Sequence, residues 1–214
     1  LPPFSRIKPE HAEPAIDRLL AQSREQIDAL LRQPPPFSWR NLIEPLELID
    51  DRIGRSWSPV SHMNSVVNNP ALREAYNACL PKLTEYATEM GQNEQLFNAY
   101  KAVAEGNEKL DPAQRKLLEN SLRDFHLSGV DLPPEKKARF KEISQQLSKL
   151  GSQFEENLLD ATNAWSKLIT DEKELAGLPE SALGLARQTA QQRGEREGWM
   201  LTLEFPSYLP VITY

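Results

Sequence analysis

Three histidines, one cysteine and a few paired acids are the residues from which any chemistry would have to be built. His11, His62 and His126 each stand far from the others in the chain, and Cys79 is the single cysteine. Zinc takes three or four clustered nitrogen, sulfur or carboxylate ligands, and these positions match no such spacing. His62, in Ser61-His62-Met63-Asn64, has no carboxylate or thiol nearby in sequence to act with, which points to a structural or surface role. His126 follows Phe125 near an expected helix end, where a cation favours the helix dipole by about 0.3–1 kcal/mol. His11 falls in the first turn of an acidic, proline-bounded helix and is expected to be solvated. Asp50-Asp51 suggests magnesium and diphosphate binding, but adjacent carboxylates diverge by about 100° around a helix. The positions one turn on, where a further acid is needed, hold Gly54 and Arg55. Glu155-Glu156 and Asp160 read as the polar side of a helix. There is no glycine-rich phosphate loop, no Gly-x-Ser-x-Gly elbow and no Cys-x-x-Cys pair. No catalytic, cofactor-binding or metal-ligating residue is assigned within the chain.

Composition narrows the partners. The 214 residues allow one domain or two small ones, and a chain of this length buries about 70% of its unfolded surface. With 26% charged residues and a net charge of −6, there is no surplus of Lys or Arg to attract nucleic acid or anionic lipid. Cys79 cannot form an internal disulfide and sits in an apolar helical pattern, which suits a reducing cytoplasm. No run of about 18 apolar residues and no basic-then-apolar leader is present. Leu1 is not an initiator methionine, so the expectation is a chain that begins inside a longer gene product or after processing.

The elements follow from punctuation. Seventeen prolines against nine glycines invert the usual order, and many of the prolines stand at helix starts. Asn69-Pro70 places a capping side chain before a proline at the first helical position, and Asp111-Pro112-Ala113-Gln114 adds a reach-back glutamine. Ser38 caps the helix after Pro34-Pro35-Pro36. Arg123-Asp124-Phe125, Leu127-Ser128-Gly129 ends a helix on a glycine, and Pro133-Pro134-Glu135 starts another. Six helices are predicted, roughly at 9–32, 38–67, 70–105, 112–127, 134–165 and 179–192. Pro59 is expected to kink or split the second, and Pro81 to open a new helix within the third. In the fifth, Phe140, Ile143, Leu147, Leu150 and Phe154 form an a/d seam expected to pack as in left-handed bundles.

Beyond Ala164 the pattern changes to alternation. Trp165–Thr170 and Trp199–Phe205 predict a two-stranded antiparallel ribbon with the sixth helix between its strands. The expected fold is therefore mainly α, a long-helix bundle over 1–164 with a small β ribbon and helix extension over 165–214. The stretch 208–214 is apolar and has no polar cap.

Several separated blocks, in order, carry a resemblance. They are Leu1–Pro14 (LPPFSRIKPEHAEP), Ser58–Val66 (SPVSHMNSV), Leu122–Pro133 (LRDFHLSGVDLP), Leu175–Ser181 (LAGLPES) and Phe205–Tyr214 (FPSYLPVITY). Together they resemble the amino-terminal lobe of the thimet-oligopeptidase family of zinc peptidases, most closely its bacterial oligopeptidase A branch. The resemblance implies an enzyme that hydrolyses short peptides, with zinc held by a His-Glu-x-x-His helix and a later glutamate, and a zinc-bound water as nucleophile. This chain has no such motif, so none of the family's metal or catalytic residues carries over to it. The expectation is a non-catalytic front piece, 1–214, that walls a substrate channel, packs against a catalytic domain outside these residues, and is inactive alone. A self-sufficient helical interaction module is the alternative.

Overall fold

The computed structural model describes residues 1–214, which form eight α-helices and one two-stranded antiparallel sheet. They divide into two compact units, Leu1–Leu150 and Gly151–Tyr214.

In the first unit, α1 (Pro9–Leu31) starts on a proline, and its exposed N-cap Lys8 donates its backbone N–H to Nδ1 of His11 at 3.3 Å. Its buried stripe, Ala12, Ile16, Leu20, Ser23 and Ile27, steps by three or four. Ser38 caps a single π-helical turn, Trp39–Ile43, accepting from the Asn41 N–H at 3.1 Å while Asn41 accepts from the Ser38 N–H at 2.7 Å. That turn runs into α2 (Glu44–Val66).

Two proline expectations are corrected. Pro59 is buried within a continuous α2, and Pro81 lies inside α3 (Pro70–Gly91) rather than starting a helix. A proline removes one ladder bond, and here the burial of Pro59 and Val60 on one side offsets that loss. The third predicted helix is instead interrupted at Gln92-Asn93, where the Asn93 side chain accepts from the Leu96 N–H at 3.0 Å and opens α4 (Glu94–Ala104).

The capping box before α5 (Pro112–Leu127) forms as the spacing predicts, with Asp111 and Gln114 exchanging bonds of 2.8 and 2.9 Å. Its other end is a Schellman motif. Gly129 takes φ +85°, the Val130 N–H reaches the Phe125 carbonyl at 3.1 Å, and Val130 and Phe125 share one core cluster.

Two apolar clusters hold these helices. One joins α1, α2 and α3 through Ile16, Leu20, Ile53, Leu72 and Cys79. The other joins α2, α4 and α5 through Leu42, Ile43, Leu96, Val103, Leu118 and Phe125. Phe125 meets Phe97 and Tyr100 edge-on at 5.7 and 5.4 Å.

The long helix α6 (Pro134–Ala164) has no buried residue. Its polar side turns toward α3 and α4. Lys137 pairs with Glu94 at 2.6 Å, Lys141 with Glu85 at 2.5 Å, and Thr84 donates to Ser148 at 2.9 Å. The expected seam is therefore displaced to the outside: Leu147, Leu150 and Phe154 are 64, 59 and 67% exposed. The apolar periodicity is real, but a seam identifies a face without identifying what meets it.

In the second unit, β1 (Ser166–Ile169) pairs antiparallel with β2 (Trp199–Thr202), Ser166 opposite Thr202 and Ile169 opposite Trp199. Helix α7 (Glu180–Gln192) lies between them in sequence, as predicted, and α8 (Phe205–Thr213) follows. Ile169, Leu175, Ala186 and Trp199 form the core, and Arg187 stacks over the Trp199 ring at 5.1 Å. Gly198, at φ +99°, passes so close to β1 that a Cβ would lie 2.6 Å from the Ile169 carbonyl oxygen, so only glycine fits there.

Candidate functional site

The structure separates the chemically suggestive residues. His11 serves the start of α1. His62, exposed on α2, lies with its ring 5.7 Å from that of Phe4. His126, in the last turn of α5, is hydrogen-bonded through Nδ1 to Asp131 and meets the Phe97 ring edge-on at 5.1 Å. Asp51 pairs along α2 with Arg55 at 2.8 Å, while Asp50 points elsewhere on the same helix. Glu155, Glu156 and Asp160 lie along α6. Cys79 is fully buried, and desolvation, with the charge of Glu13 next, pushes its thiol up to about 11. No group of three or more His, Cys, Asp or Glu side chains stands close enough to hold a metal ion. The donors present do not fit a catalytic zinc.

What the structure offers instead is surface. The α6 stripe of Ile143, Leu147, Leu150, Phe154 and Leu158 is exposed along its length. On α8, Phe205, Tyr208, Leu209, Val211 and Ile212 are exposed as well. Lone exposed apolar residues are ordinary, but contiguous stripes on regular elements mark faces that meet something else.

The fold also gathers residues that sequence spacing did not. Glu47 and Asp50 of α2, Tyr86 of α3 and Tyr100 of α4 line one cavity of about 490 Å³ in the first unit. Glu47 and Tyr100 are more than fifty positions apart, so only the packing of α2 on α4 joins them.

Comparison with known proteins decides the family. Residues 16–137, more than half of the chain, match the family model "Neurolysin/Thimet oligopeptidase, N-terminal domain". The chain belongs to the thimet oligopeptidase family. All of it aligns with 32% of the oligopeptidase A of Salmonella typhimurium at 53% identity, and with 31% of that of Haemophilus influenzae at 55%. It aligns over its whole length with 31% of a probable cytosolic oligopeptidase A of Arabidopsis thaliana at 38%. The chain thus carries the N-terminal domain of a thimet-type peptidase and spans about a third of the length of these relatives. No helix is long and apolar enough to cross a membrane.

Proposed function

We propose that residues 1–214 act as the non-catalytic lobe of a cytoplasmic, zinc-dependent oligopeptidase. The observation that carries this reading is identity above 50% along the entire chain to peptidases three times as long. The absence of a His-Glu-x-x-His motif from the sequence is consistent with zinc and its ligands belonging to the portion that the relatives have in addition. In this reading the long helices wall one side of a channel that admits extended short peptides and excludes folded proteins, so that specificity is partly a filter of size. The stripes on α6 and α8 pack against the catalytic portion. The name of the plant relative supports a cytoplasmic setting.

Two measurements test the proposal. The 214-residue chain, freed of contaminating peptidases, is expected not to cleave a quenched fluorescent peptide with or without added zinc. Chelator-sensitive turnover by it would overturn the assignment. Reading the gene beyond Tyr214 is expected to reveal His-Glu-x-x-His; a full frame without it would favour the alternative, a helical interaction module whose binding face is the exposed α6 stripe.

A further inference from the structure

The cavity among α2, α3, α4 and α5 has a chemical character that the peptidase reading leaves unused. Its walls include Ile53, Leu83, Met90 and Phe125, and at about 490 Å³ it is within the range of small-ligand sites. Its polar members are mostly acids and phenols. Asp124 is engaged by Arg123 at 2.8 Å, but Glu47 and Asp50 have no ion pair or hydrogen bond with the rest of the chain. Arg24, whose guanidinium lies 5.3 Å from the Tyr86 ring centre, is held by Glu89 at 2.7 Å. Burial, and then the charge of Asp50, raises the Glu47 carboxyl, so the two acids repel each other with no cation between them.

A second observation is independent of the acids. Tyr100 is 8% exposed and lines the cavity, yet its hydroxyl has no hydrogen-bond partner in the chain. Buried phenols ordinarily find one. An apolar trough, two unpaired carboxylates and an unpaired buried hydroxyl together describe a receptor for a cation that donates hydrogen bonds and carries a hydrocarbon stem.

We propose that this cavity binds an alkylammonium or alkylguanidinium group, its stem on Ile53, Leu83 and Met90 and its charged head donating to Glu47, Asp50 and the Tyr100 hydroxyl. The group can arrive on a Lys or Arg side chain of a peptide or as a free amine. Both share the same recognition chemistry, and a site for it on this lobe stands apart from any peptide-bond cleavage.

The test uses the full 214-residue chain with its three methionines carrying 13C-labelled methyl groups. Met90 lines the cavity, and Met200, in β2, is the internal control. The probes are n-hexylammonium, n-hexanol and the amide of acetyl-Ala-Lys-Ala. Hexylammonium is expected to shift the Met90 resonance saturably and leave Met200 unmoved, while hexanol binds at least about tenfold more weakly, the usual worth of a charge-assisted hydrogen bond. E47Q combined with D50N, both at exposed positions, is expected to weaken the amine about tenfold and leave hexanol unchanged. Y100F is expected to weaken the amine as well, with an unchanged Met200 signal reporting an intact fold. Saturable binding of the lysyl tripeptide assigns the site to peptide side chains; binding of hexylammonium alone assigns it to free amines. Equal affinity for amine and alcohol, amine binding indifferent to the double substitution, or no saturable shift at Met90 would each overturn the proposal.

Discussion

Leu118 and Leu147 are the same side chain in opposite surroundings, 1% and 64% exposed. Truncating Leu118 to Ala removes transfer energy and leaves a cavity beside Phe125 and Val103, at a cost of about 2–5 kcal/mol. Leu147→Ala in this chain removes a side chain that already meets water and is expected to change stability by less than about 0.5 kcal/mol. Urea melts with equal slopes check both, and a large loss at Leu147 would mean that the stripe is packed in solution. Cys79 gives a second residue-scale expectation. Its thiol is raised from 9.0 to about 11 by burial, so below pH 9 the folded and unfolded chains both keep the proton. Between pH 9 and about 11 only the unfolded chain releases it, so the contribution of Cys79 to stability is lost as pH rises through that window. The difference in urea midpoint between the native chain and Cys79→Ala should accordingly narrow from pH 8.5 to pH 11. A constant difference would place the thiol in contact with solvent.

Helix ends were more legible than helix partners. Asn69-Pro70, Ser38 and the Asp111/Gln114 box announced their helices because a cap is a local bargain between a side chain and the next three N–H groups. The alternation at 166–169 and 199–202 announced the ribbon for the same reason. The break at Gln92-Asn93 was missed in favour of Pro81, although Gly91 before a capping Asn is itself a stop-and-start signal. The outward turn of the α6 stripe and the Glu47–Tyr100 cavity were not legible, because both depend on which helix lies against which. The Gly91 break carries its own prediction. A Cβ there would fall 2.6 Å from that of Ser128, so the end of α3 and the end of α5 approach at a point that excludes a methyl group. Gly91→Ala is expected to destabilise by about 1–3 kcal/mol. In a Ser128→Gly background the same change should be neutral or slightly stabilising, since alanine is the better helix former. A cost that persists there would locate the strain in the backbone of α3 instead.

At the scale of the whole chain, 75% of the residues are helical, and yet the longest helix contributes no buried side chain. A 31-residue amphipathic helix that spends its polar face on Glu85, Glu94 and Thr84 leaves its apolar face with water as a neighbour. Fully burying a Leu or Phe side chain contributes about 1.5–3 kcal/mol, so the stripe holds stabilisation that this chain does not realise. The consequence is a mutation whose sign depends on context. Replacing Leu147, Leu150 and Phe154 together with Gln is expected to leave the urea midpoint of the 214-residue chain almost unchanged, and to lower its binding of an apolar dye and any self-association seen by light scattering. In a longer chain that includes the catalytic portion, the same triple substitution is expected to destabilise by several kcal/mol, about 4–9 if all three side chains are buried. Loss of stability in the short chain would mean that the stripe is used within it. Indifference in both would mean that nothing covers α6, and the lobe would then have to dock through another face, with the stripe of α8 the next to substitute.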